Sequence, residues 1–338
     1  MFSPFDPIHK LEETTLNRRL ANGILLTLAM SASTLAMAQQ YPDKAIKLVV
    51  PYPPGASVDV TARLVGQHMA NQLGQPVVVD NRSGASGNIG TEYVARQPGD
   101  GYTFVLGTDA THGTNYSMAA NPTFHPINDF TPLALAAWNP IVMVVNPDVP
   151  AKTVKEYVDG VRAGKIGNAY GSSGVGSPHH LTGELLQRRG DVQLTHVPYR
   201  GGGPAVSDVL GGQIPAVFSS AITVIPHIQS GKLRALAVSD RERYEGLPDV
   251  PSMAETYEGF DVPSWLAFFA PAGVPEPVAE RLSSAIRAAL ADPEIRAKLD
   301  AGGLAVPADT SPAALRELQQ RDMETKGTLI REAGITAE

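Results

Sequence analysis

Short runs of β-branched and other apolar residues alternate with helix-like runs from residue 46 onward. Ile46–Val50 has the pattern of a buried strand, and residues 58–73 have helical spacing that ends at Gly74, a residue type common after a helix. Strands that alternate with helices predict an α/β protein built on parallel sheets, and the number of units indicates two sheets. The predicted strands are residues 46–50, 77–79, 103–106, 141–145, 169–170, 194–197, 217–218, 235–238 and 265–270.

The segment after the last predicted strand has a different character. Apolar residues at helical spacing, including Val278, Leu282 and Ile286, indicate one helix, and Leu315 with Leu318 indicates a second. A terminal helical segment of this size is expected to pack across the first domain.

Length and composition limit the classes of protein that are possible. The 338 residues are enough for two domains, and 43% of them are apolar, which can supply a full hydrophobic core. The chain has no cysteine, which excludes disulfides, thiol catalysis and zinc–thiolate sites. With 27 Lys and Arg against 34 Asp and Glu, nucleic acid is disfavoured as a partner, and an anionic ligand must be held by local dipoles.

Residues 1–38 have the layout of a secretory signal peptide. Arg18 and Arg19 precede an apolar run that ends in the small-x-small site Ala36-Met37-Ala38, so cleavage is expected before Gln39 and export to the periplasm is predicted. A membrane anchor is the alternative, but the apolar stretch is short and is interrupted by Ser, Thr and Asn.

Loops rich in Gly, Ser, Thr or Pro follow several of the predicted strands. Ligands of open α/β sheets bind beyond the carboxyl ends of the strands, so these loops predict a cleft lined with amides and hydroxyls. A helix that starts at Ser177-Pro178 would add unpaired amides and the positive end of its dipole, which together hold an anion. The loops are PYPPGASVD (51–59), NRSGASGNIG (81–90), GTDATHG (107–113), YGSSGVGSPHH (170–180), PYRGGGPA (198–205) and FSSA (218–221).

The same loops argue against several kinds of chemistry. Gly171-Ser172-Ser173-Gly174 is one residue short of the G-x-S-x-G elbow of lipases, and neither a P-loop nor a dinucleotide fingerprint is present. His179 and His180 are adjacent, so on a helix they point about 100° apart and do not readily share one metal ion. We therefore predict no metal and no cofactor.

Other polar residues of these loops have more than one interpretation. Asp59 is expected to cap the following helix, whereas Asp109 and His112 are close enough in sequence to form a catalytic pair, although no nucleophile lies beside them. Arg200 is either a carboxylate contact or a solvated rim residue.

Several segments resemble the Bug family, also called TctC-like, the extracytoplasmic binding proteins of tripartite tricarboxylate transporters. The resemblance covers residues 41 to about 333, with the motifs in the family's order. The segments that carry it are YPDKAIKLVVPYPPGASVD, VVVDNRSGASGNIGTEYVAR, YGSSGVGSPHHLTGELLQ, HVPYRGGGPAVSDVLGGQI and WLAFFAPAGVP.

The resemblance implies a two-lobed, type II periplasmic-binding fold, with a sheet flanked by helices in each lobe and the ligand cleft between them. Lobe 1 would comprise residues 41–139 and 265–338 and lobe 2 residues 140–264, with crossings near Asn139-Pro140 and Ser264-Trp265. Family members hold a carboxylate through amides and hydroxyls, which here implies Tyr52, Gly55, Ala56, Ser57, Thr108, Asp109, Ser172, Ser173, Gly176, Ser177 and Tyr199. We add His112 and Ser219 to this ligand-binding set.

Three positions depart from the family's usual pattern. The family often has Gly-Gly where this chain has Gly55-Ala56, and many members have an acid where this chain has Ser219. An acid appears instead at Asp109. We hypothesise that the end of the ligand away from its carboxylate bears an amine, ring nitrogen or hydroxyl that meets Asp109.

The sequence therefore predicts a monomeric, non-enzymatic periplasmic protein that binds a small organic acid and delivers it to membrane transporter subunits. One alternative is a ligand sensor of the same fold that acts in signalling. Another is a secreted hydrolase that uses Ser173 or Asp109 with His112.

Overall fold

The computed structural model describes residues 41–336, so the predicted signal peptide lies outside the described residues. The strands in this range are β1 (Ile46–Val50), β2 (Val77–Asn81), β3 (Thr103–Thr108), β4 (Phe130–Trp138), β5 (Ile141–Val145), β6 (Ala169–Ser172), β7 (Thr195–Pro198), β8 (Ala216–Ser220), β9 (Arg234–Val238) and β10 (Trp265–Pro271). The helices are α1 (Ser57–Leu73), α2 (Asn88–Ala95), α3 (Asn115–Met118), α4 (Val154–Arg162), α5 (Pro178–Gly190), α6 (Gly202–Leu210), α7 (Ala221–Gln229), α8 (Glu276–Ala291), α9 (Pro293–Ala301) and α10 (Pro312–Ala333). Within residues 41–336, none of these helices has both the length and the apolar character needed to cross a membrane.

The strands form two five-stranded sheets with matching topology. The first sheet has the order β2-β1-β3-β10-β4 and the second β7-β6-β8-β5-β9. Each sheet contains one reversed strand, because β10 is antiparallel to β3 and β4, and β5 is antiparallel to β8 and β9. The prediction of an α/β fold with two sheets is confirmed, but the prediction that the sheets are parallel is wrong.

The reversed strands follow from the path of the chain between the sheets. The strand β5 starts three residues after β4 ends, and β10 is the first strand after β9. The amide of Asp109, just beyond β3, donates to the carbonyl of Trp265 at the start of β10. A strand that begins where its neighbours end must run antiparallel to them. Short-range sequence patterns carry no information about the direction of a strand relative to its neighbours.

The strand β4 has no counterpart among the predicted strands. Four of its nine residues, FTPLALAAW, are Ala or Pro, residue types that are depleted in strands. Pro132 is tolerated because β4 lies at the edge of its sheet. Pairing with β10 and contacts with the C-terminal segment, including a bridge between Trp138 and Ala305, hold this segment as a strand.

The tail forms three helices where two were predicted. Asp292 ends α8 and caps α9, and Pro293 occupies the first position of α9, which separates the two helices.

The last helix reaches both sheets. Leu315 and Leu318 belong to a core cluster of the first sheet, whereas Leu329 and Ile330 pack in a core cluster of the second.

Candidate functional site

The carboxyl ends of three parallel strands bring the first three glycine-rich loops together. The hydroxyls of Tyr52, after β1, and Thr108, at the end of β3, are hydrogen-bonded at 2.9 Å. Burial, which outweighs this hydrogen bond, raises the pKa of Tyr52 to about 12, so the phenol stays protonated. A Cβ added to Gly87, in the second loop, would lie 3.2 Å from the Tyr52 hydroxyl and 2.5 Å from Thr111. Only glycine therefore allows the second loop to approach the other two.

The N-terminus of α1 presents unpaired amides at this junction. Its N-cap, Ala56, gives no side-chain cap, and the amides of Ser57 and Val58 have no acceptor among residues 41–336. The amide of Gly55, by contrast, donates to Asp59 at 2.9 Å. Ser57 and Val58 can therefore donate to an anion, but Gly55 is already occupied.

Asp59 has a structural role, but the prediction that it caps α1 is wrong, because it is the third residue of that helix and the N-cap is Ala56. Its carboxylate accepts hydrogen bonds from Gly55, Arg63 and Asn81. Burial favours the neutral form, but these hydrogen bonds, led by that from Arg63, outweigh it and lower the pKa of Asp59 to about 2. The charge is satisfied within the protein and holds the first loop in place.

The second loop contains a feature that the predicted set of residues omits. Gly84, Ala85, Ser86 and Gly87 all have positive φ, with 46° at Ala85 and 53° at Ser86. The side-chain amide of Asn115 donates to the Ser86 carbonyl and to Asn88. Non-glycine residues rarely adopt this conformation, and several in succession are found at functional sites. The glycines on either side were the only sequence signal for it.

Asp109 is bound by groups of the protein itself. Its side chain accepts from Lys326 at 2.7 Å and from Ser264 at 3.1 Å, and it is almost wholly buried. Lys326 also donates to Asp322 and to the carbonyl of Pro263. Burial lowers the pKa of Lys326, but the two carboxylates outweigh it and hold this pKa above its ordinary value. The hypothesis that Asp109 meets an amine, ring nitrogen or hydroxyl of a ligand loses its basis, because the buried carboxylate already accepts from Lys326 and Ser264.

His112 lies in the core and not at the cleft. Its ring stacks on Phe269 at a centroid distance of 3.9 Å, and its Nδ1 lies 2.9 Å from the Thr111 hydroxyl. Burial, with a smaller contribution from Arg316, lowers the pKa of His112 to about 3, so the ring is neutral. In the described part of the chain no hydrogen bond joins His112 to Asp109. The geometry does not support His112 as a ligand contact or as a catalytic partner of Asp109.

The serine-rich loop after β6 uses most of its hydroxyls internally. Ser172 is fully buried and lies 2.6 Å from His196 Nε2. Ser177 caps α5: its hydroxyl accepts from the amide of His180 and donates to the carbonyl of Gly174, so the hydroxyl of this predicted ligand residue is already engaged. Gly176 has φ +71°, and a Cβ there would lie 2.1 Å from the sulfur of Met118 on α3. This glycine therefore permits a contact between segments that follow β3 and β6, in different sheets.

Ser173 begins a chain of hydrogen bonds that sequence reasoning did not find. Its hydroxyl lies 2.6 Å from His179 Nδ1, and His179 Nε2 lies 3.3 Å from Ser220, which accepts from Asn139. Burial, which outweighs the opposing effect of Asp109, lowers the pKa of His179 to about 4. A serine–histidine pair can act as nucleophile and base, but this histidine faces Ser220 where a triad has an orienting carboxylate. His180 points elsewhere, toward Gly176 and Glu184.

The fifth and sixth loops bring Tyr199 and Ser219 to the same edge of the second sheet. The Tyr199 hydroxyl donates to Asp208 on α6 at 2.6 Å, and its ring lies against Gly171. Burial and this carboxylate raise the pKa of Tyr199 to about 12. Ser219 is fully buried, and its hydroxyl has no hydrogen-bond partner among the described residues. Arg200 is exposed and makes no ion pair in residues 41–336.

The two sets of loops lie at the carboxyl ends of parallel strands of their own sheets, and they meet where Met118 approaches Gly176. The arrangement offers amides and hydroxyls, the neutral His179 and, apart from the exposed Arg200, charges that are already paired. Within residues 41–336 no group of three acidic or histidine side chains is placed to hold a metal ion. Such a surface suits an anionic ligand held by dipoles.

Comparison with known proteins gives consistent matches. The sequence model of the tripartite tricarboxylate transporter family receptor matches residues 61–335. Protein BugT of Bordetella pertussis (strain Tohama I) is 34% identical over 314 residues, covering 92% of this chain and 96% of its own. The R. palustris protein Rpa4515, solved with adipate, superposes with a TM-score of 0.78 at 32% identity and covers 88% of this chain and 99% of its own. MatC of Rhodopseudomonas palustris, solved with bound malate, has a TM-score of 0.74 at 31% identity, with 86% and 100% covered.

Proposed function

Because the chain belongs to the tripartite tricarboxylate transporter receptor family, we propose that it is a periplasmic solute-binding protein that captures a small organic carboxylate. The similar structures solved with malate and with adipate support this class of ligand. The signal peptide at residues 1–38 would direct export, and the membrane subunits of a tripartite transporter would receive the ligand. The protein acts as a monomer and has no catalytic step.

The open N-terminus of α1 is the observation that carries this proposal. The unpaired amides of Ser57 and Val58 lie at the N-terminus of α1, where the dipole of this 17-residue helix is most positive. The Tyr52 and Thr108 hydroxyls lie at the same strand ends. A carboxylate bound there needs no lysine or arginine, because several N–H groups in a shielded cleft can stabilise it.

Closure of two lobes would complete the site. We take lobe 1 as residues 41–139 with 265–338 and lobe 2 as residues 140–264. The crossings lie side by side, because the amide of Asn139 donates to the carbonyl of Ser264 at 2.8 Å. A hinge at this point lets a ligand that contacts both sets of loops shift the population toward the closed form, which the membrane partner then recognises.

A thermal-shift screen of the purified protein tests the proposal. A ligand at 100 times its dissociation constant adds about 2.7 kcal/mol to the free energy of unfolding, which gives a clear rise in midpoint. We expect one class among mono-, di- and tricarboxylates to raise the midpoint and the fully esterified compounds to leave it unchanged. If no carboxylate shifts the midpoint, including after unfolding and refolding to remove any co-purified ligand, the proposal is wrong.

A further inference from the structure

A network of four side chains connects the first crossing between the sheets to the serine-rich loop. The side-chain nitrogen of Asn139 donates to the Ser220 hydroxyl at 3.1 Å, and this hydroxyl lies 3.3 Å from Nε2 of His179. On the other side of the ring, Nδ1 lies 2.6 Å from the hydroxyl of Ser173. Ser220 is the N-cap residue of α7, but its side chain does not cap the helix, as serine at this position commonly does. Its hydroxyl is available to the network instead.

The orientation of the Asn139 amide sets the first donor of the network. Its Nδ2 donates to Ser220, and its Oδ1 is buried with no hydrogen-bond partner among residues 41–336. The reverse orientation would bury a nitrogen with two unpaired hydrogens, which is worse than one unpaired oxygen because unpaired buried N–H groups are rarer than unpaired carbonyls. The Ser220 oxygen therefore accepts from Asn139, and its own hydrogen is left to be donated.

His179 accepts that hydrogen. The ring is buried, and burial, which outweighs the opposing effect of Asp109, lowers the pKa of His179 to about 4. At neutral pH only one of its two nitrogens therefore carries a hydrogen. If that nitrogen were Nε2, the Ser220 hydroxyl would have no acceptor within the described part of the chain. The hydrogen consequently belongs on Nδ1, which donates to the oxygen of Ser173.

This order of donors leaves the hydrogen of the Ser173 hydroxyl free. The oxygen accepts from His179, and the side chain makes no other hydrogen bond in residues 41–336, although it is only partly buried. A nucleophilic serine needs the reverse order, in which the hydroxyl donates to a histidine base. The order found here suits a serine that donates to a bound anion, and such charge-assisted hydrogen bonds are the stronger ones.

We propose that His179 is a positioning residue that fixes the Ser173 hydroxyl as a hydrogen-bond donor to the ligand carboxylate, and that Asn139 and Ser220 set the tautomer of its ring. This inference rests on the proposed function, in which the ligand contacts both sets of loops. The backbone amide of Asn139 also donates to the carbonyl of Ser264 at 2.8 Å. The direction of a ligand donor therefore depends on the two crossings at which the lobes hinge.

NMR of the purified protein with isotope-labelled histidine tests the order of donors without a ligand. Long-range correlations between the ring hydrogens and nitrogens distinguish the two neutral tautomers. We expect His179 to carry its hydrogen on Nδ1 at neutral pH, and we expect Ser220→Ala to weaken that preference because it removes the donor to Nε2. Ser230→Ala is the matched control, since Ser230 is exposed at the opposite end of α7 and should leave the tautomer unchanged. A ring that carries its hydrogen on Nε2 in the unmodified protein overturns the inference.

Two substitutions of His179 separate positioning from packing. His179→Asn places an amide donor near the position of Nδ1, whereas His179→Gln places it near the position of Nε2, away from Ser173. In isothermal titrations with succinate, glutarate and citrate, His179→Asn should stay within about threefold of the unmodified protein, and His179→Gln should lose about tenfold in affinity.

The outcomes separate this inference from the proposed function. If both variants of His179 keep full affinity, or if both lose it equally, His179 does not position Ser173 and the inference is wrong. If no carboxylate binds the unmodified protein, the proposed function fails, and with it the role of Ser173. An Nε2 tautomer in a protein that does bind a carboxylate overturns only the inference.

Discussion

Lys326, on the last helix, forms an ion pair with Asp109, which immediately follows β3. The N–O distance is 2.7 Å, and both side chains are 2% exposed. The two residues are 217 positions apart in the chain. Lys326 also donates to the carbonyl of Pro263, next to the second crossing between the sheets. One buried ammonium group therefore connects the last helix, a loop of the first sheet and the crossing segment.

Lys326→Met should be strongly destabilising. It leaves Asp109 and Asp322 buried without a cation, and breaking a buried pair from one side costs about 3–5 kcal/mol. Urea denaturation measures the change in the free energy of unfolding. Lys298→Met is the control, because Lys298 makes an exposed pair with Glu294, and it should cost under about 1 kcal/mol. If the two variants lost equal free energy of unfolding, the buried pair would be no more important for stability than the exposed one.

Asp240 should make the protein less stable as the pH rises. Burial, with a further contribution from Asp261, raises the pKa of Asp240 to about 7, and its Oδ2 has no hydrogen-bond partner among the described residues. A carboxyl whose pKa is raised on folding stabilises the fold fully below its unfolded pKa of about 4, and this contribution is lost as the pH rises through 7. The effect is up to roughly 4 kcal/mol, at roughly 1.4 kcal/mol per pKa unit.

Asp240→Asn tests this pH dependence. The variant should gain stability relative to the unmodified protein at pH 8 and lose that advantage near pH 4, as measured by urea denaturation across the range. Both proteins must be compared because His179 and His196 change stability in the opposite direction. Burial is the largest cause that lowers the pKa of each histidine to about 4, and a lowered histidine pKa reduces stability in acid. Asp148→Asn, at an exposed position, should leave the profile unchanged. A pH-independent difference for Asp240→Asn would contradict the raised pKa.

Gly176→Ala should weaken ligand binding through the contact between the two sheets. A methyl group at this position would lie 2.1 Å from the Met118 sulfur, so the Met118 side chain would have to move and its contact between the two sheets would weaken. We expect about a tenfold loss of carboxylate affinity by titration, equivalent to about 1.4 kcal/mol against closure. Gly212→Ala is a matched control, because its φ is +69° and no atom lies within 4 Å of the added methyl. A loss of the same size in both variants would assign the effect to backbone strain.

His112→Ala should lower stability without changing ligand affinity. The side chain is fully buried between Phe130 and Phe269, and removal of a large core side chain costs about 3 kcal/mol. His112→Phe retains the stacking and should recover part of this loss. If His112→Phe keeps the stability but abolishes carboxylate binding, His112 is a ligand residue after all.

The sequence was sufficient for features set by local chemistry. The apolar run Ile46–Val50 is a strand with the predicted bounds, and the helix predicted to start at Ser177-Pro178 begins at Pro178. The glycine-rich loops lie at the carboxyl ends of strands, because parallel strands separated by helices bring those ends to one edge. By contrast, β4 was missed because its alanines have no β preference and only pairing with β10 makes the segment a strand.

Sequence alone thus determined the α/β class, the two sheets and the loops in which a ligand site could lie, since these follow from periodicity and from turn and cap residues within a few positions of one another. Only the tertiary structure decided which polar groups are free. The Asp109 carboxylate is paired with Lys326, and the Gly55 amide donates to Asp59. The Ser219 hydroxyl, in contrast, remains unpaired beside Gly202. The reason is that hydrogen bonds and ion pairs depend on distances of about 3 Å between residues that can be far apart in the chain.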